Sequence, residues 1–147
     1  MAGKIESKII KKIEQKFKSK YKIISSYRQG KENGLPVKTK EKIYFPDLIL
    51  KDKKSGIIKH IIEVETDPVR KSIVGASILA DYCIGLDQPR KKIRLSFIIG
   101  NKETKSGRSG LKQLPDFQKR KSIIEKYLKN IYKVNIDIEE KITKTIN

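Results

Sequence analysis

The chain has very little cysteine and histidine: Cys83 and His60 are the single residues of each type. One cysteine excludes an intrachain disulfide and a zinc site built from several cysteines, a usage typical of an intracellular, cytoplasmic protein. One histidine with no visible partner argues against Ser-His or Cys-His catalysis. Cys83 lies in an apolar segment, which predicts a packed core thiol rather than a nucleophile.

Long apolar runs are also missing. No segment reaches the roughly 18 apolar residues of a membrane-spanning helix. The N-terminal residues Lys4, Glu6 and Lys8 are charged where a signal peptide has its apolar core. A chain of 147 residues can bury a core without disulfides. We therefore expect a single domain over residues 1–147 with no membrane partner.

Acidic residues are scarce, with 17 Asp and Glu against 35 Lys and Arg and a formal charge of +18. This excess predicts a polyanionic partner, of which nucleic acid is the commonest. An AT-rich genome or a hot habitat also enriches lysine, but thermophiles typically enrich glutamate as well. The candidate phosphate-binding residues lie mainly in two basic loops and at a helix start: Arg28, Lys38, Lys40, Arg70, Lys71, Lys102, Lys105, Arg108 and Lys112.

Hydrophobic periodicity predicts an α/β fold. The predicted elements, in chain order, are a helix over 4–18, strands over 21–28, 43–51 and 57–65, a helix over 67–85, a strand over 93–99, a helix over 116–131 and a short edge strand over 134–138 before a frayed tail. The polar turn 52–56 makes the strands around it an antiparallel hairpin. A strand that follows a helix is expected to lie parallel to an earlier strand. Irregular basic loops are expected over 29–42 and 100–115.

Three carboxylates occupy segments that are otherwise apolar: Asp47, Glu63 and Glu65. A buried charge is costly unless it is paired or binds a metal. Strand alternation places Glu63 and Glu65 on one face, and the separation of sixteen positions from Asp47 to Glu63 fits two adjacent antiparallel strands. Carboxylate oxygens suit Mg²⁺ or Mn²⁺. The alternative is a solvated hairpin face, which the apolar character of both strands disfavours.

Glu6 is a fourth candidate acid. Projected on a helix, its side chain falls near the middle of the apolar stripe formed by Ile5, Ile9, Ile10, Ile13 and Phe17. An acid on an inward face indicates a site, whereas an acid in a first turn also interacts favourably with the helix dipole. Both interpretations remain open for Glu6.

The order of these residues resembles the PD-(D/E)XK nuclease superfamily. The resemblance covers Glu6 to Ile99 and rests on Pro46-Asp47, then Glu63-Val64-Glu65, with an acid-bearing helix before them and a helix and strand after them. It implies a restriction-endonuclease-like α/β core, a Mg²⁺ site and DNA cleavage. It also implies that Asp47 and Glu63 bind the metal, that the Val64 carbonyl is a further ligand, and that Glu6 matches the helical acid of many members.

One position departs from the superfamily pattern. Glu65 stands where the superfamily usually has the lysine that orients or deprotonates the attacking water, although some restriction enzymes carry Glu there. Arg70 and Lys71 in the next helix are candidates for the missing positive charge, or are part of a solvated helix face. In size and layout the chain is most similar to archaeal Holliday junction resolvases, which implies a homodimer that acts on branched DNA.

Three functions follow as hypotheses. The first is a Mg²⁺-dependent DNA endonuclease with Asp47, Glu63, Glu65 and Glu6 in the catalytic site; restriction and repair nucleases share the same core. The second is a non-catalytic nucleic-acid-binding module that retains the nuclease fold. The third is a basic, RNA-associated structural protein with exposed acids and salt-sensitive binding.

Overall fold

The structure is a computed structural model that describes residues 4–25, 34–66, 70–88, 92–100 and 110–146. Its elements are α1 (Lys4–Phe17), β1 (Tyr21–Ser25), β2 (Leu48–Asp52), β3 (Ile58–Glu65), α2 (Arg70–Asp87), β4 (Ile93–Ile99), α3 (Gly110–Tyr127), β5 (Ile131–Asp137) and α4 (Glu139–Ile146). The prediction of a mixed α/β fold is confirmed.

The five strands form one sheet in the order β1-β2-β3-β4-β5. The pairs β1/β2 and β2/β3 are antiparallel, whereas β3/β4 and β4/β5 are parallel. The predicted antiparallel meander and the parallel fourth strand are therefore confirmed. Strand β3 lies at the change of direction, so its C-terminal end meets the start of β2 on one side and the end of β4 on the other.

Apolar side chains cover both faces of the sheet, as the apolar central strands require. On one face, Ile49, Ile61 and Phe97 pack in a cluster with residues of α2 and α3. On the other face, Ile62 and Val64 pack with residues of α1 and α4. The predicted alternation of β3 is confirmed, because consecutive residues of this strand enter different clusters.

One predicted boundary before β3 needs correction. Strand β2 begins at Leu48 rather than Ile43. The segment before it forms an isolated bridge between Leu35 and Tyr44, and Pro46 has no N–H to donate to a ladder. Strand β1 is described as far as Ser25, and the rest of the predicted strand, 26–28, lies outside the described residues.

The C-terminal third departs most from prediction. Helix α3 begins at Gly110, so Pro115 lies inside it instead of ending the preceding loop. The proline has no N–H to donate to the preceding turn, and the helix continues across this position. Ile131, predicted in this helix, is the first residue of β5. The predicted frayed tail is wrong: helix α4 buries Ile142 and Ile146, which are spaced by one helical turn.

Helix α2 packs on the sheet only in part, although its composition predicts burial nearly all round. Cys83 and Ile84 are fully buried, as predicted for the thiol. Val74, Ile78, Tyr82 and Leu86 recur every four residues and are exposed; we call them the α2 stripe. Asp67 and Pro68, the predicted helix start, lie outside the described residues. Within the described ranges, no helix is long and apolar enough to cross a membrane.

Candidate functional site

Asp47 and Glu63 are joined by two reciprocal hydrogen bonds where β2 begins. The backbone N–H of Asp47 donates to Glu63 Oε1 at 2.8 Å, and the N–H of Val64 donates to Asp47 Oδ2 at 2.8 Å. The last pair of the β2/β3 ladder at this end is Leu48 with Ile62. Asp47 and Glu63 are the next residues, so their carboxylates accept hydrogen bonds just beyond the ladder. The predicted proximity of Asp47 and Glu63 follows directly from this register.

Glu6 and Glu65 lie at the same end of the sheet. Glu6, in the first turn of α1, accepts a hydrogen bond at Oε1 from Thr66 Oγ1 at 3.2 Å. Glu65 is the last residue of β3, and its carbonyl accepts a hydrogen bond from the N–H of Gly100 at 2.8 Å. All four acids, Glu6, Asp47, Glu63 and Glu65, are partly buried, and we call them the acid cluster.

The surroundings of Asp47 and Glu63 oppose the ionisation of these two acids. Burial, followed by the charge of Asp47, raises the pKa of Glu63 well above its usual value, with smaller contributions from Glu65 and Glu6. Burial raises the pKa of Asp47 to about 6, and the charge of Glu6 acts in the same direction. The N–H donors of Asp47 and Val64 lower these pKa values, but they do not compensate for burial. Negative charge at this position is therefore costly.

Cations close to Asp47 and Glu63 would relieve this cost. Among the described side chains, neither acid forms an ion pair with lysine or arginine; the ion pairs found there, Lys12 with Glu139 and Arg120 with Asp116, lie in helices. In a chain of charge +18, two acids without such a partner are unexpected. Their arrangement is typical of a site that receives a cation from outside the protein.

Tyr44 belongs to this region and is not among the residues predicted from the sequence. Its hydroxyl is buried and has no hydrogen-bond partner within the described part of the chain. Burial, followed by the charges of Glu63, Asp47 and Glu65, raises the pKa of Tyr44 well above its usual value. Tyr44 therefore remains a neutral donor near the acids. Its position three residues before Asp47 was the only signal in the sequence.

The donor set fits a hard divalent cation in chemistry. Asp47 and Glu63 each use one carboxylate oxygen for a backbone N–H and have a second oxygen. The N–H and C=O of one strand residue point to the same side, so the Val64 carbonyl faces the side of Asp47. Over the described residues, however, no three His, Cys, Asp or Glu side chains are already arranged as a metal site. Binding would therefore require side-chain adjustment.

The candidate DNA-binding residues lie at both ends of the sheet. Lys71 and Lys112 are exposed in the first turns of α2 and α3, which follow β3 and β4 and so start at the end with the acid cluster. Lys38 and Lys40 are exposed and lie at the other end of the sheet. The N–H of Lys38 donates to Asp87, the last residue of α2, and this hydrogen bond fixes their position there. Arg28, Lys102, Lys105 and Arg108 lie outside the described residues, as does the side chain of Arg70.

Lys42 organises the loop that carries Lys38 and Lys40. Its ammonium donates hydrogen bonds to the carbonyls of Pro36, Val37 and Thr39 at 2.6 to 2.8 Å. Sequence reasoning gave Lys42 no role, because a lysine in a basic loop has no distinguishing pattern. This ammonium acts within the loop, so the loop's exposed charge comes from its other lysines.

Two other buried acids belong to the scaffold. Asp81 Oδ1 accepts hydrogen bonds from the N–H groups of Asn130 and Ile131, and Oδ2 accepts one from Lys129. Asp87 accepts hydrogen bonds from the N–H groups of Val37 and Lys38. Both side chains fix a chain segment to α2. We therefore assign them a structural role.

Comparison of the chain with protein-family models, with curated proteins and with solved structures gave no match.

Proposed function

We propose that this protein is a Mg²⁺- or Mn²⁺-dependent DNA endonuclease that hydrolyses phosphodiester bonds on a restriction-endonuclease-like core. The observation that carries the proposal is the acid cluster, in which Asp47 and Glu63 have raised pKa values and no cationic partner among the described residues. A divalent cation is the simplest compensating charge for such a group. The charge of +18 elsewhere favours a polyanionic substrate.

Each acid has a distinct role in this proposal. Asp47 and Glu63 hold the cation, and the Val64 carbonyl lies on the side where it would be a further ligand. Glu65 is a further ligand or the base that takes a proton from the attacking water. Glu6, held by Thr66, completes the negative site. When bound, the cation would lower the pKa of a water molecule and stabilise charge on the phosphate.

The substrate is proposed to be DNA, with branched DNA favoured by the resemblance to Holliday junction resolvases. Lys71 and Lys112 lie in the first turns of α2 and α3, at the same end of the sheet as the acids, where they would contact phosphates beside the scissile bond. Lys38 and Lys40 lie at the far end, about 16 Å away along β3, counted from Ile58 to Glu63. That separation suits contacts to phosphates several nucleotides from the cleavage position.

The test combines metal binding with cleavage. Mg²⁺ or Mn²⁺ should raise the melting temperature of the wild-type protein, because a ligand that binds only the folded state stabilises it. The same ions should support cleavage of branched or duplex DNA, and EDTA should abolish it. Asp47→Asn should lose both effects, because it removes a metal-binding carboxylate while its amide oxygen can still accept the Val64 N–H.

Glu140→Gln is the matched control, since it removes one exposed carboxylate from α4 and leaves the acid cluster intact. It should retain the thermal shift and the cleavage. Equal cleavage by Asp47→Asn and wild type would contradict the assignment of the site. A melting temperature that does not respond to either ion would contradict the metal centre.

A non-catalytic nucleic-acid-binding module is the second candidate. Glu65 in place of the usual lysine favours it, and among the described residues no lysine or arginine is ion-paired with Asp47 or Glu63. Such a module would bind DNA in a salt-sensitive manner without cleaving any of the three forms, branched, duplex or single-stranded. Glu65→Lys separates the candidates: appearance of cleavage only in this variant would identify the wild type as a binding module.

A homodimer is part of the proposal, and the α2 stripe is the surface we assign to it. The four exposed residues of the α2 stripe, Val74, Ile78, Tyr82 and Leu86, are uncharged, although 35% of the chain is charged. Two copies of a protein with charge +18 repel each other wherever their basic surfaces meet. A surface without charge is where two copies can approach, and an isologous contact would pair each stripe with its equivalent.

Light scattering after size-exclusion chromatography tests the dimer. The wild-type protein should have twice the mass of one chain, and Ile78→Glu should have the mass of a monomer because it places a charge in the stripe. Ser72→Glu, on the same helix and exposed, is the matched control and should remain dimeric. A monomeric wild type would contradict the dimer.

A further inference from the structure

A second cluster of charged residues lies at the end of the sheet opposite the acid cluster. A cavity of about 330 Å³ opens beside the first residues of β3 and β4 and is lined by Lys20, Lys59, His60, Lys92, Arg94 and the C-terminal residues of α4. We call it the basic cavity. No acidic side chain lines it in the described part of the structure. Four cationic side chains around one concave site are typical of anion recognition.

His60 is the feature that distinguishes this cavity from an ordinary basic surface. Its side chain is in the cavity wall and only 4% exposed. Neither ring nitrogen has a hydrogen-bond partner among the described residues. A buried polar group without a partner costs free energy, so an unpaired imidazole facing four cations indicates a missing acceptor.

The protonation of His60 is compatible with an anionic ligand. Burial, then the charges of Arg94 and Lys20, lowers the pKa of His60 to about 4. At neutral pH the imidazole is therefore uncharged and has one N–H donor. An anion in the cavity would accept a hydrogen bond from this N–H and reduce the repulsion among the surrounding cations.

Two of the cationic side chains, Arg94 and Lys20, are positioned by contacts with neighbouring residues. Nη1 of the Arg94 guanidinium donates a hydrogen bond to the Thr145 carbonyl at 3.0 Å. This positive charge also interacts favourably with the C-terminal, negative end of the α4 dipole. The planar guanidinium has further donors that can bind an oxyanion. The Lys20 ammonium lies 5.4 Å from the centre of the Tyr21 ring, which places it beside β1 at the cavity rim.

We propose that the basic cavity binds a phosphate group, with hydrogen bonds donated by His60 and Arg94. Lys20, Lys59 and Lys92 contribute positive charge. This site is separate from the acid cluster, because His60 precedes Glu63 by about 10 Å along β3 and its side chain faces α1 and α4. The inference does not depend on nuclease activity.

Nuclear magnetic resonance of His60 tests the proposal. His60 is the only histidine in the chain, so its imidazole C–H signals can be assigned without ambiguity. At pH 7 and constant ionic strength, inorganic phosphate should shift these signals along a saturating curve, whereas sodium chloride should not. Signals that do not move, that move without saturation, or that respond equally to chloride would overturn the proposal.

Charge-matched variants identify the site. Lys20→Gln combined with Lys92→Gln removes two exposed cations from the cavity and should weaken phosphate binding about fivefold. Lys119→Gln combined with Lys126→Gln removes two exposed cations from α3 and should leave the affinity unchanged. If both double variants weaken binding equally, the effect is one of net charge and the proposed site is wrong.

The source of the phosphate group is resolved in a second arm. A short DNA duplex in EDTA should reproduce the His60 shift and compete with inorganic phosphate if the ligand is a nucleic-acid backbone. A response to inorganic phosphate alone identifies a small phosphate ligand. Asp47→Asn should keep the His60 response even where it abolishes cleavage, and its loss would contradict the separation of the two sites.

Discussion

The acid cluster and the acids of α2 solve the problem of a buried carboxylate in different ways. Asp81 and Asp87 are each about 8% exposed, and both oxygens of each accept backbone N–H groups from a distant segment. Asp47 and Glu63 each accept one such bond and lie close to other acids. Backbone donors stabilise the first pair, whereas the second pair is left with raised pKa values.

This difference separates acids that maintain the fold from acids that are suited to chemistry. A carboxyl group whose oxygens all accept backbone N–H groups already has its hydrogen-bond partners and offers little to a ligand. A carboxylate that is buried beside like charges gains from any cation that arrives. High burial does not by itself mark the acids suited to chemistry, because Asp81 is more buried than Asp47. The number of backbone donors does.

The largest expected effect is on stability, from Asp81→Ala. The substitution leaves the N–H groups of Lys129, Asn130 and Ile131 without their acceptor between α3 and β5. We expect the free energy of unfolding to fall by about 3 kcal/mol, because hydrogen bonds to a charged group are strong and buried donors are costly to leave unpaired. Urea denaturation measures it, and a loss below that of Asp116→Ala would contradict the structural role.

Asp87→Ala should have a smaller effect of the same sign. It removes the acceptor for Val37 and Lys38 only, and these N–H groups are in a partly exposed loop where water can replace the carboxylate. We expect a loss of about 1.5 kcal/mol. Hydrogen exchange of the Val37 and Lys38 amides should accelerate while exchange in the strands does not. Unchanged exchange at both amides would show that Asp87 does not hold this loop.

Asp47→Asn should change the free energy of unfolding in the opposite direction. Because burial raises the pKa of Asp47, its ionised form destabilises the folded protein at neutral pH. Replacing it by a neutral amide, in EDTA, should increase the free energy of unfolding by about 1 kcal/mol, a value that allows for its partial exposure. Urea denaturation at pH 7 measures the change. If Asp47→Asn instead destabilises the protein as much as Asp87→Ala does, Asp47 has a structural role like that of Asp81 and Asp87.

The smallest effect is the pH dependence of that difference. The folded-state pKa of Asp47 is about 6 against a usual value of 3.8, so the folded protein holds a proton over that range where the unfolded chain has lost it. The destabilisation is fully present above pH 6 and disappears as the pH falls toward 4. The stability advantage of Asp47→Asn should therefore shrink between pH 7 and pH 4. An advantage that stays constant would contradict the pKa assignment.

The sequence predicted the proximity of Asp47 and Glu63, because this proximity is a local property of one hairpin. Strand alternation and a polar turn were sufficient to bring them together. The sequence could not show that Asp81 differs from these two acids, because the hydrogen bonds of Asp81 come from N–H groups about fifty positions later in the chain. Tyr44 was missed for the same reason, because its burial depends on a loop that bridges to Leu35.

Errors of secondary structure came from short or interrupted patterns. Helix α4 has only two buried apolar residues, Ile142 and Ile146, so its eight residues give little periodic signal. Its formation depends on packing against α1. Pro115 led to a wrong predicted start for α3, because a proline in a sequence usually indicates a turn or a loop, whereas this one lies inside a helix.

The register of the β2/β3 hairpin has a consequence for how the chain can change in evolution. Because β3 has a buried core on both faces, inserting one residue between Ile58 and Glu63 would exchange the side chains of the two clusters and turn Glu63 away from Asp47. Added residues are better tolerated in the exposed turn at Lys53–Gly56, outside the ladder. Divergent sequences of this fold should therefore vary in the length of that turn and keep β3 constant.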